Sequence, residues 1–280
     1  MKLAVITDEI DTDLSHALDV MAEYGVTGAE LRTIGDKNIS NLTRSEIEDV
    51  RRLLDQRGVS AVGVASPFFK TDLPETGSGP TGALHGATAV GFEDQIDLLS
   101  RCIEYAKILG TTFLRTFTFW KHGALTPQIE DRIVDAYRVP ASMAEDLGIT
   151  LLVENEYACF TGTGAEAASL VSRIASPAVK IVWDPGNAIF AGESPFPAGY
   201  DAVKPFLAHV HVKDARPKDS GELEWVVVGD GVANWQAQVD ALRADGYNGY
   251  LSLETHYSSG GSKEASSRQC LEALNRIVGA

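Results

Sequence analysis

The sequence predicts an α/β fold, a single-domain (β/α)8 or TIM barrel. Eight short apolar or β-branched runs recur along the chain, and most of the gaps between them carry apolar residues at helical spacing. No glycine-rich nucleotide turn follows the first run, which argues against an open doubly wound sheet. Eight strand and helix units in 280 residues suit one barrel. We therefore expect residues 1–280 to form one domain.

The candidate strands follow one another at regular intervals. They are residues 3–9, 28–34, 60–66, 111–119, 149–156, 179–184, 207–214 and 250–256. The clearest helix begins after Thr43, an N-cap residue followed three positions later by Glu46, and it ends near Gly58. The sixth gap, around FPAGYDAVKPF, has the weakest helical pattern.

A long segment rich in glycine, threonine and proline follows the third strand. It covers residues 70–94 and would lie at the C-terminal end of the barrel strands. Irregular segments of this length are usually lids or binding loops. We expect a lid here, and simple disorder is the alternative.

Composition limits the classes of partner and compartment. The chain carries 24 basic and 39 acidic residues, a net charge of −15, and no basic stripe, so nucleic acid is a poor candidate. No stretch has the length of a membrane span, and the N-terminus does not resemble a signal peptide. The three cysteines show no paired spacing. A protein of the reducing cytoplasm is expected, without a membrane partner.

Side-chain alternation places four polar residues at one end of the predicted barrel. Apolar residues occupy the helix-facing positions of the last four strands, which leaves Glu154, Asp184, His211 and Glu254 facing inward, near the C-terminal strand ends. Active sites of such barrels lie at this end, built by residues from several strands.

Three carboxylates and an imidazole at one mouth would repel one another unless a cation neutralises them. Mostly oxygen ligands with one nitrogen favour Mn²⁺, Mg²⁺ or Co²⁺. The alternative is a set of buried ion pairs with Lys213, Arg115 or Lys180.

Several motifs carry a family resemblance. LLVENEY, VWDPGNA, HVHVKDA and LSLETHY, in this order, resemble the second half of xylose isomerase-like TIM barrels, and GVTGAELR and LLDQRGVSAVGV resemble the first half. This superfamily includes ketose 3-epimerases, hydroxypyruvate isomerase, inosose dehydratase and an apurinic-site endonuclease branch. The resemblance implies one divalent metal held by Glu154, Asp184, His211 and Glu254. Mn²⁺ is favoured, and Mg²⁺, Co²⁺ and Zn²⁺ are compatible.

The chain also departs from its relatives. Many epimerases have a substrate-binding histidine where this chain has Asn187, and their arginine falls one residue later than Arg216 does here. The endonuclease branch uses three zincs and extra histidines that are not apparent among the six histidines of this chain.

The predicted chemistry is proton transfer beside a sugar carbonyl. A metal that chelates the sugar carbonyl and the neighbouring hydroxyl would acidify the C–H group between them and stabilise the resulting enediolate. Glu154 and Glu254 would act as the acid and base that move the proton. We expect a metal-dependent isomerase or epimerase acting on a ketose or keto-sugar derivative. A lyase that dehydrates a keto-inositol or keto-sugar and a weakly catalytic metal-bearing subunit are the alternatives. The sequence does not identify the sugar or the metal. It also leaves the oligomeric state open, with a homo-oligomer as one alternative.

Further residues are candidates for substrate contact. They are Glu156, Asn187, Lys213, Arg216, His256 and Trp120. Lys213 has an alternative role as the ion-pair partner of Glu156. His209 lies one pleat deeper than His211, and we expect it to support the site from the core.

Overall fold

The computed structural model describes residues 1–77, 82–258 and 260–279. Its central feature is a closed barrel in which each strand is parallel to its neighbours and the last strand pairs with the first. The barrel strands are β1 (Lys2–Ile6), β2 (Gly28–Leu31), β3 (Ser60–Phe68), β4 (Phe113–Thr116), β5 (Thr150–Glu154), β6 (Val179–Trp183), β7 (Leu207–Val212) and β8 (Tyr250–Leu253). The predicted (β/α)8 barrel is confirmed.

Helices fill the connections between strands. They are α1 (Leu14–Glu23), α2 (Arg44–Arg57), α3 (Gln95–Leu109), α4 (Pro127–Leu147), α5 (Gly164–Ile174), α6 (Pro185–Phe190), α7 (Tyr200–Val203), α8 (Trp235–Ala244) and α9 (Lys263–Gly279). The capping box of Thr43 and Glu46 starts α2, and Gly58 ends it at φ +64°. The sixth connection holds only the short helices α6 and α7 with single turns, in line with its weak pattern. In the ranges described above, no helix is long and apolar enough to cross a bilayer.

The core lies between the barrel and its helices. Leu151 and Val153 of β5, Val210 of β7, and Leu251 and Leu253 of β8 are fully buried in one apolar cluster. Their neighbours in each strand face the barrel interior, because successive side chains point to opposite faces of a strand, and most of these neighbours are polar, with Leu152 as an exception. The alternation therefore separates the packing face from the face that carries the chemistry.

Seven of the eight predicted strands end earlier than the sequence suggested, the fourth and the second among them. Residues 117–119 continue along the barrel wall, where the Phe117 amide donates to the Phe68 carbonyl at 2.9 Å, but Phe119 has φ +66° and the regular strand stops at Thr116. After β2 the chain turns into a short hairpin, Thr33–Ile34 with Lys37–Asn38. A second hairpin, Asp214–Pro217 with Leu223–Val226, follows β7.

The segment predicted as a lid, residues 70–94, is attached at several points. The Thr71 hydroxyl donates to the Val90 carbonyl at 2.9 Å, and the His85 carbonyl accepts from Thr33 at 2.9 Å and from Asn38 at 3.2 Å. Residues 78–81 lie outside the described residues.

A matched pair of leucine substitutions tests the assignment of the core. Leu251→Ala should lower the free energy of unfolding by about 2–5 kcal/mol, because Leu251 is fully buried and its loss leaves a cavity. Leu147→Ala, where the side chain is 43% exposed, should change it by no more than about 0.5 kcal/mol. Urea unfolding of both variants checks this, and equal effects would contradict the assignment.

Candidate active site

Four side chains meet at the C-terminal end of the barrel. Glu154 ends β5, Asp184 directly follows β6, His211 lies in β7 and Glu254 directly follows β8. Each offers one atom within 4.8 Å of the others, and none is more than 2% exposed. The Nδ1 atom of His211 lies 3.3 Å from Glu154 Oε1, 3.3 Å from Glu254 Oε2 and 4.0 Å from Asp184 Oδ2. The structure therefore brings together the four residues singled out by strand alternation.

Three buried cations surround these carboxylates. Lys213 Nζ lies 2.9 Å from Asp184 Oδ2 and 3.0 Å from Glu254 Oε2. Arg115 Nη1 lies 3.2 Å from Glu154 Oε2. Arg32 Nη1 donates to Glu254 Oε1 at 2.7 Å. Ion pairing with Lys213 and Arg115, which the sequence raised as an alternative to a metal, is thus present beside the cluster.

The surroundings set the charge of each carboxyl group differently. Burial raises the pKa of Asp184 to about 6, helped by the Glu154 and Glu254 carboxylates and opposed by the Lys213 ammonium. Burial also opposes ionisation of Glu154, but the Arg115 guanidinium and the His211 ring together outweigh it, and the pKa of Glu154 falls to about 2. Glu154 is therefore a buried carboxylate that keeps its charge.

The donor set fits a divalent cation. Glu154 Oε2 and Asp184 Oδ2 are buried and accept no hydrogen bond, although each has a cationic side chain nearby. Unpartnered buried oxygens are costly, and a cation between them would satisfy both. Carboxylate oxygens with one imidazole nitrogen suit Mn²⁺, Mg²⁺, Co²⁺ or Zn²⁺.

Glu30 was not identified from the sequence. It extends from β2 into the barrel interior, where its Oε1 lies 3.0 Å from His211 Nε2 and its Oε2 lies 3.0 Å from His209 Nε2. Its alternation with Arg32, which directly follows β2, is the same signal that identified Glu154. His209 takes no part in the four-residue cluster and contacts Glu30 instead.

An acidic pair after β1 was also missed. Asp8 accepts from Arg32 Nη2 at 2.9 Å, and Glu9 accepts a short hydrogen bond from the same guanidinium. The TDE sequence that follows the first strand was the available signal, since polar residues at a strand's C-terminal end face the site. Arg32 thus joins Asp8, Glu9 and Glu254.

The predicted substrate contacts fall into two groups. Asn187 Nδ2 donates to Glu154 Oε1 at 3.1 Å, Lys213 contacts the cluster, and His256 Nε2 lies 3.6 Å from Glu254 Oε1. These three are thus beside the four-residue cluster.

The second group makes other contacts. Glu156 pairs with Lys70 at 3.5 Å. Trp120 is 4% exposed and packs in a small apolar cluster. Arg216 is half exposed and donates to Glu224 across the second hairpin at 2.9 Å.

A cavity of about 370 Å³ is lined by Arg32 and His256, which both lie beside Glu254 of the cluster. Glu9, Arg32, His85, Trp225 and His256 are among its lining residues. The Trp225 ring meets His256 edge to face, with centroids 5.2 Å apart. An aromatic face beside charged groups is a common wall for a sugar ring.

Comparisons with known proteins agree with this architecture. A family model described as "Xylose isomerase-like TIM barrel" matches residues 18–277. An inosose dehydratase of Geobacillus thermodenitrificans (strain NG80-2) is 23% identical over 261 residues, which cover 85% of this chain and 80% of that protein.

Solved structures give the same picture. The IOLI protein with a bound zinc atom superposes with a TM-score of 0.78 at 18% identity, covering 100% of this chain and 98% of that one. A D-psicose 3-epimerase crystallised with D-fructose gives a TM-score of 0.71 at 17% identity, covering 100% of both chains. At these identities the structural likeness establishes the fold alone.

A matched pair of arginine substitutions tests the buried charge arrangement. Arg32→Met should destabilise the protein by about 3–5 kcal/mol, because Asp8, Glu9 and Glu254 lose a shared buried cation. Arg216→Met breaks an exposed pair and should cost no more than about 1 kcal/mol. Thermal or urea unfolding distinguishes the two variants. An Arg32→Met variant as stable as the wild type would show that Asp8, Glu9 and Glu254 do not depend on this guanidinium.

Proposed function

The chain belongs to the xylose isomerase-like TIM barrel family, and we propose that it is a divalent-metal-dependent isomerase or epimerase of a ketose or keto-sugar derivative. One observation carries the proposal: Glu154 Oε1 and Asp184 Oδ2 lie 3.3 and 4.0 Å from the Nδ1 atom of His211, and this Asp184 oxygen is buried without a hydrogen bond. A small carbohydrate is the expected substrate, since the related proteins include an inosose dehydratase and a ketose epimerase.

The proposed ligands are Glu154, Asp184, Glu254 and the Nδ1 atom of His211. When bound, a divalent ion would supply Lewis acidity, which polarises a sugar carbonyl and acidifies the neighbouring C–H group. Mn²⁺ is our first candidate because the donors are mostly carboxylate oxygens, and Zn²⁺, Mg²⁺ and Co²⁺ are compatible with the same donors.

The two glutamates differ in a way that suits an acid and base pair. Glu154 Oε2 accepts no hydrogen bond, so this oxygen is available to take a proton from carbon. Glu254 is held at both oxygens, with Arg32 at Oε1 and Lys213 at Oε2. We assign Glu154 as the base on one face of the substrate and Glu254 as the acid on the other, with the Lys213 ammonium at its Oε2 as the source of the proton that Glu254 delivers, which would invert a centre or move the carbonyl.

Other residues would hold the substrate and limit its contact with water. Asn187, Lys213 and His256 lie beside the four-residue cluster and can donate or accept at sugar oxygens. The roles proposed for Glu156, Trp120 and Arg216 rest on the sequence alone. We also propose residues 70–94 as a cover over the cavity, since His85 of this segment is part of the cavity lining.

A dehydratase is the second candidate, favoured by the similarity to inosose dehydratase. The same proton abstraction would lead to loss of a hydroxyl at the β-carbon when the substrate, a keto-inositol or keto-sugar, carries one there. The first step and its residues are shared, so only the products separate the two reactions. A weakly catalytic subunit of a sugar-processing complex would show neither product alone.

Deuterium exchange tests the proposed proton transfer. The metal-loaded protein, incubated in D₂O with a panel of ketoses and keto-inositols, should place deuterium at the carbon next to the carbonyl of one of them. Glu154→Gln and Glu254→Gln should each slow exchange by about 100-fold or more, since general acid–base groups contribute this much. Glu222→Gln, an exposed carboxylate, is the matched control and should exchange at the wild-type rate.

The products and the exchange together decide among the candidates. An epimer or isomer supports our first assignment, and an unsaturated ketone that absorbs in the ultraviolet supports the dehydratase. No exchange with any substrate, despite bound metal, would contradict both and favour the subunit.

The ligand set has a separate test that needs no substrate. The double variant Glu154→Gln, Asp184→Asn should retain less than a tenth of the wild-type metal after gel filtration, measured by mass spectrometry, because two charged oxygen ligands are lost. Undiminished metal content in the folded variant would rule out these ligands.

A further inference from the structure

Glu30 occupies an unusual place in the barrel interior. It belongs to β2 but contacts two histidines of β7, a strand that is not its neighbour in the barrel. Its carboxylate is 2% exposed and lies 3.0 and 3.1 Å from His211 Nε2 through its two oxygens. Oε2 also lies 3.0 Å from His209 Nε2. The proposed mechanism gives this buried carboxylate no role.

The chemistry of these contacts determines which nitrogen of each ring carries hydrogen. An ionised carboxylate only accepts hydrogen bonds, so both imidazoles must donate to Glu30 from Nε2. The distances of 3.0 Å from Glu30 Oε2 to His209 Nε2 and from Glu30 Oε1 to His211 Nε2 fit these hydrogen bonds. A neutral His211 then has a lone pair on Nδ1, the atom that lies 3.3 Å from oxygens of Glu154 and Glu254.

We propose that Glu30 is a positioning residue that fixes the ring orientation and tautomer of His211, so that Nδ1 faces the divalent ion. His209 would complete the arrangement by holding the second oxygen of Glu30 in place. Histidine ligands commonly donate their other N–H group to a carboxylate, which raises their basicity and restricts the ring. This inference rests on the metal site of the proposed function and adds residues outside its ligand set.

The arrangement also explains why two histidines alternate in HVHVKDA. The ring of His209 meets that of His211 edge to face, with centroids 5.5 Å apart. Its Nδ1 atom is buried and has no hydrogen-bond partner, so Glu30 is the contact through which it acts. Glu30, His209 and His211 lie close enough to hold an ion of their own, but separations of 3.0–3.1 Å are those of N–H groups bonded to a carboxylate.

Two substitutions separate positioning from simple charge. Glu30→Gln removes the charge and leaves only one acceptor oxygen for two N–H groups. Glu30→Asp keeps the charge but shortens the side chain by one methylene. If Glu30 acts by orienting His211, both variants should bind Zn²⁺ or Mn²⁺ about 10- to 100-fold more weakly in titration calorimetry. If only its charge matters, Glu30→Asp should bind as the wild type does.

Glu156→Gln is the matched control for metal affinity. It removes another buried carboxylate near the same end of the barrel, one that pairs with Lys70 and has no contact with His211. We expect its Zn²⁺ affinity to stay within about threefold of the wild type, since the ligand geometry is untouched. An equal loss in Glu156→Gln and Glu30→Gln would reduce the role of Glu30 to general electrostatics and overturn the proposal.

Nitrogen-15 NMR of the wild-type protein gives a readout that does not depend on a variant folding. With Zn²⁺ bound, His211 should carry its proton on Nε2 and the metal on Nδ1, while His209 stays metal-free and protonated on Nε2. Zinc on Nε2 of His211, or on His209, would overturn the inference. A wild-type protein that binds no divalent ion would overturn the proposed metal site and this inference together. Unchanged metal affinity in both Glu30 variants would overturn only the inference about Glu30 and would leave the proposed metal site in place.

Discussion

Crowding of buried carboxylates around His211 is the constraint on which the rest of the structure depends. Glu154, Asp184 and Glu254 are almost completely buried within a few ångströms of one another. Their negative charges repel one another unless positive charge lies close by. The barrel places cations on the outer side of this group, Arg32 beside Glu254 and Lys213 between two of the acids. Asp184 Oδ2, which accepts no hydrogen bond, lies 4.0 Å from His211 Nδ1, and a divalent ion there would complete the site.

The local backbone serves this arrangement. Asp184 caps the short helix α6 by accepting the Asn187 amide at Oδ1, so that Oδ2 is directed to the centre. Gly186 within that helix lets Lys213 reach the cluster, because a Cβ atom there would lie 2.5 Å from Lys213 Cγ and 2.9 Å from Trp225 Cζ3. This one capped turn therefore positions the Asp184 carboxylate and leaves room for Lys213 and for Trp225, the aromatic wall of the cavity. The same turn carries Asn187 to Glu154.

The sequence predicted the barrel and the four-residue cluster because both follow from strand alternation, a local pattern. Glu154 and Glu254 end strands whose other face is plainly apolar, so their direction could be read directly. Local patterns placed Glu30 and Asp8 near the site, but their contacts were not predictable, since Glu30 reaches His209 and His211 across the barrel and Asp8 pairs with Arg32 of the adjacent strand end. The left-handed conformation of Phe119, which ends the fourth strand early, is likewise set by tertiary packing and has no glycine to signal it.

The proposed function depends on a single divalent ion held by Glu154, Asp184, Glu254 and the Nδ1 atom of His211. Anomalous diffraction from crystals soaked in Mn²⁺ tests it most directly. We predict one strong peak bounded by Glu154, Asp184, Glu254 and His211 Nδ1. A peak between Glu30 and His209, or no peak within the barrel at saturating Mn²⁺, would contradict the account.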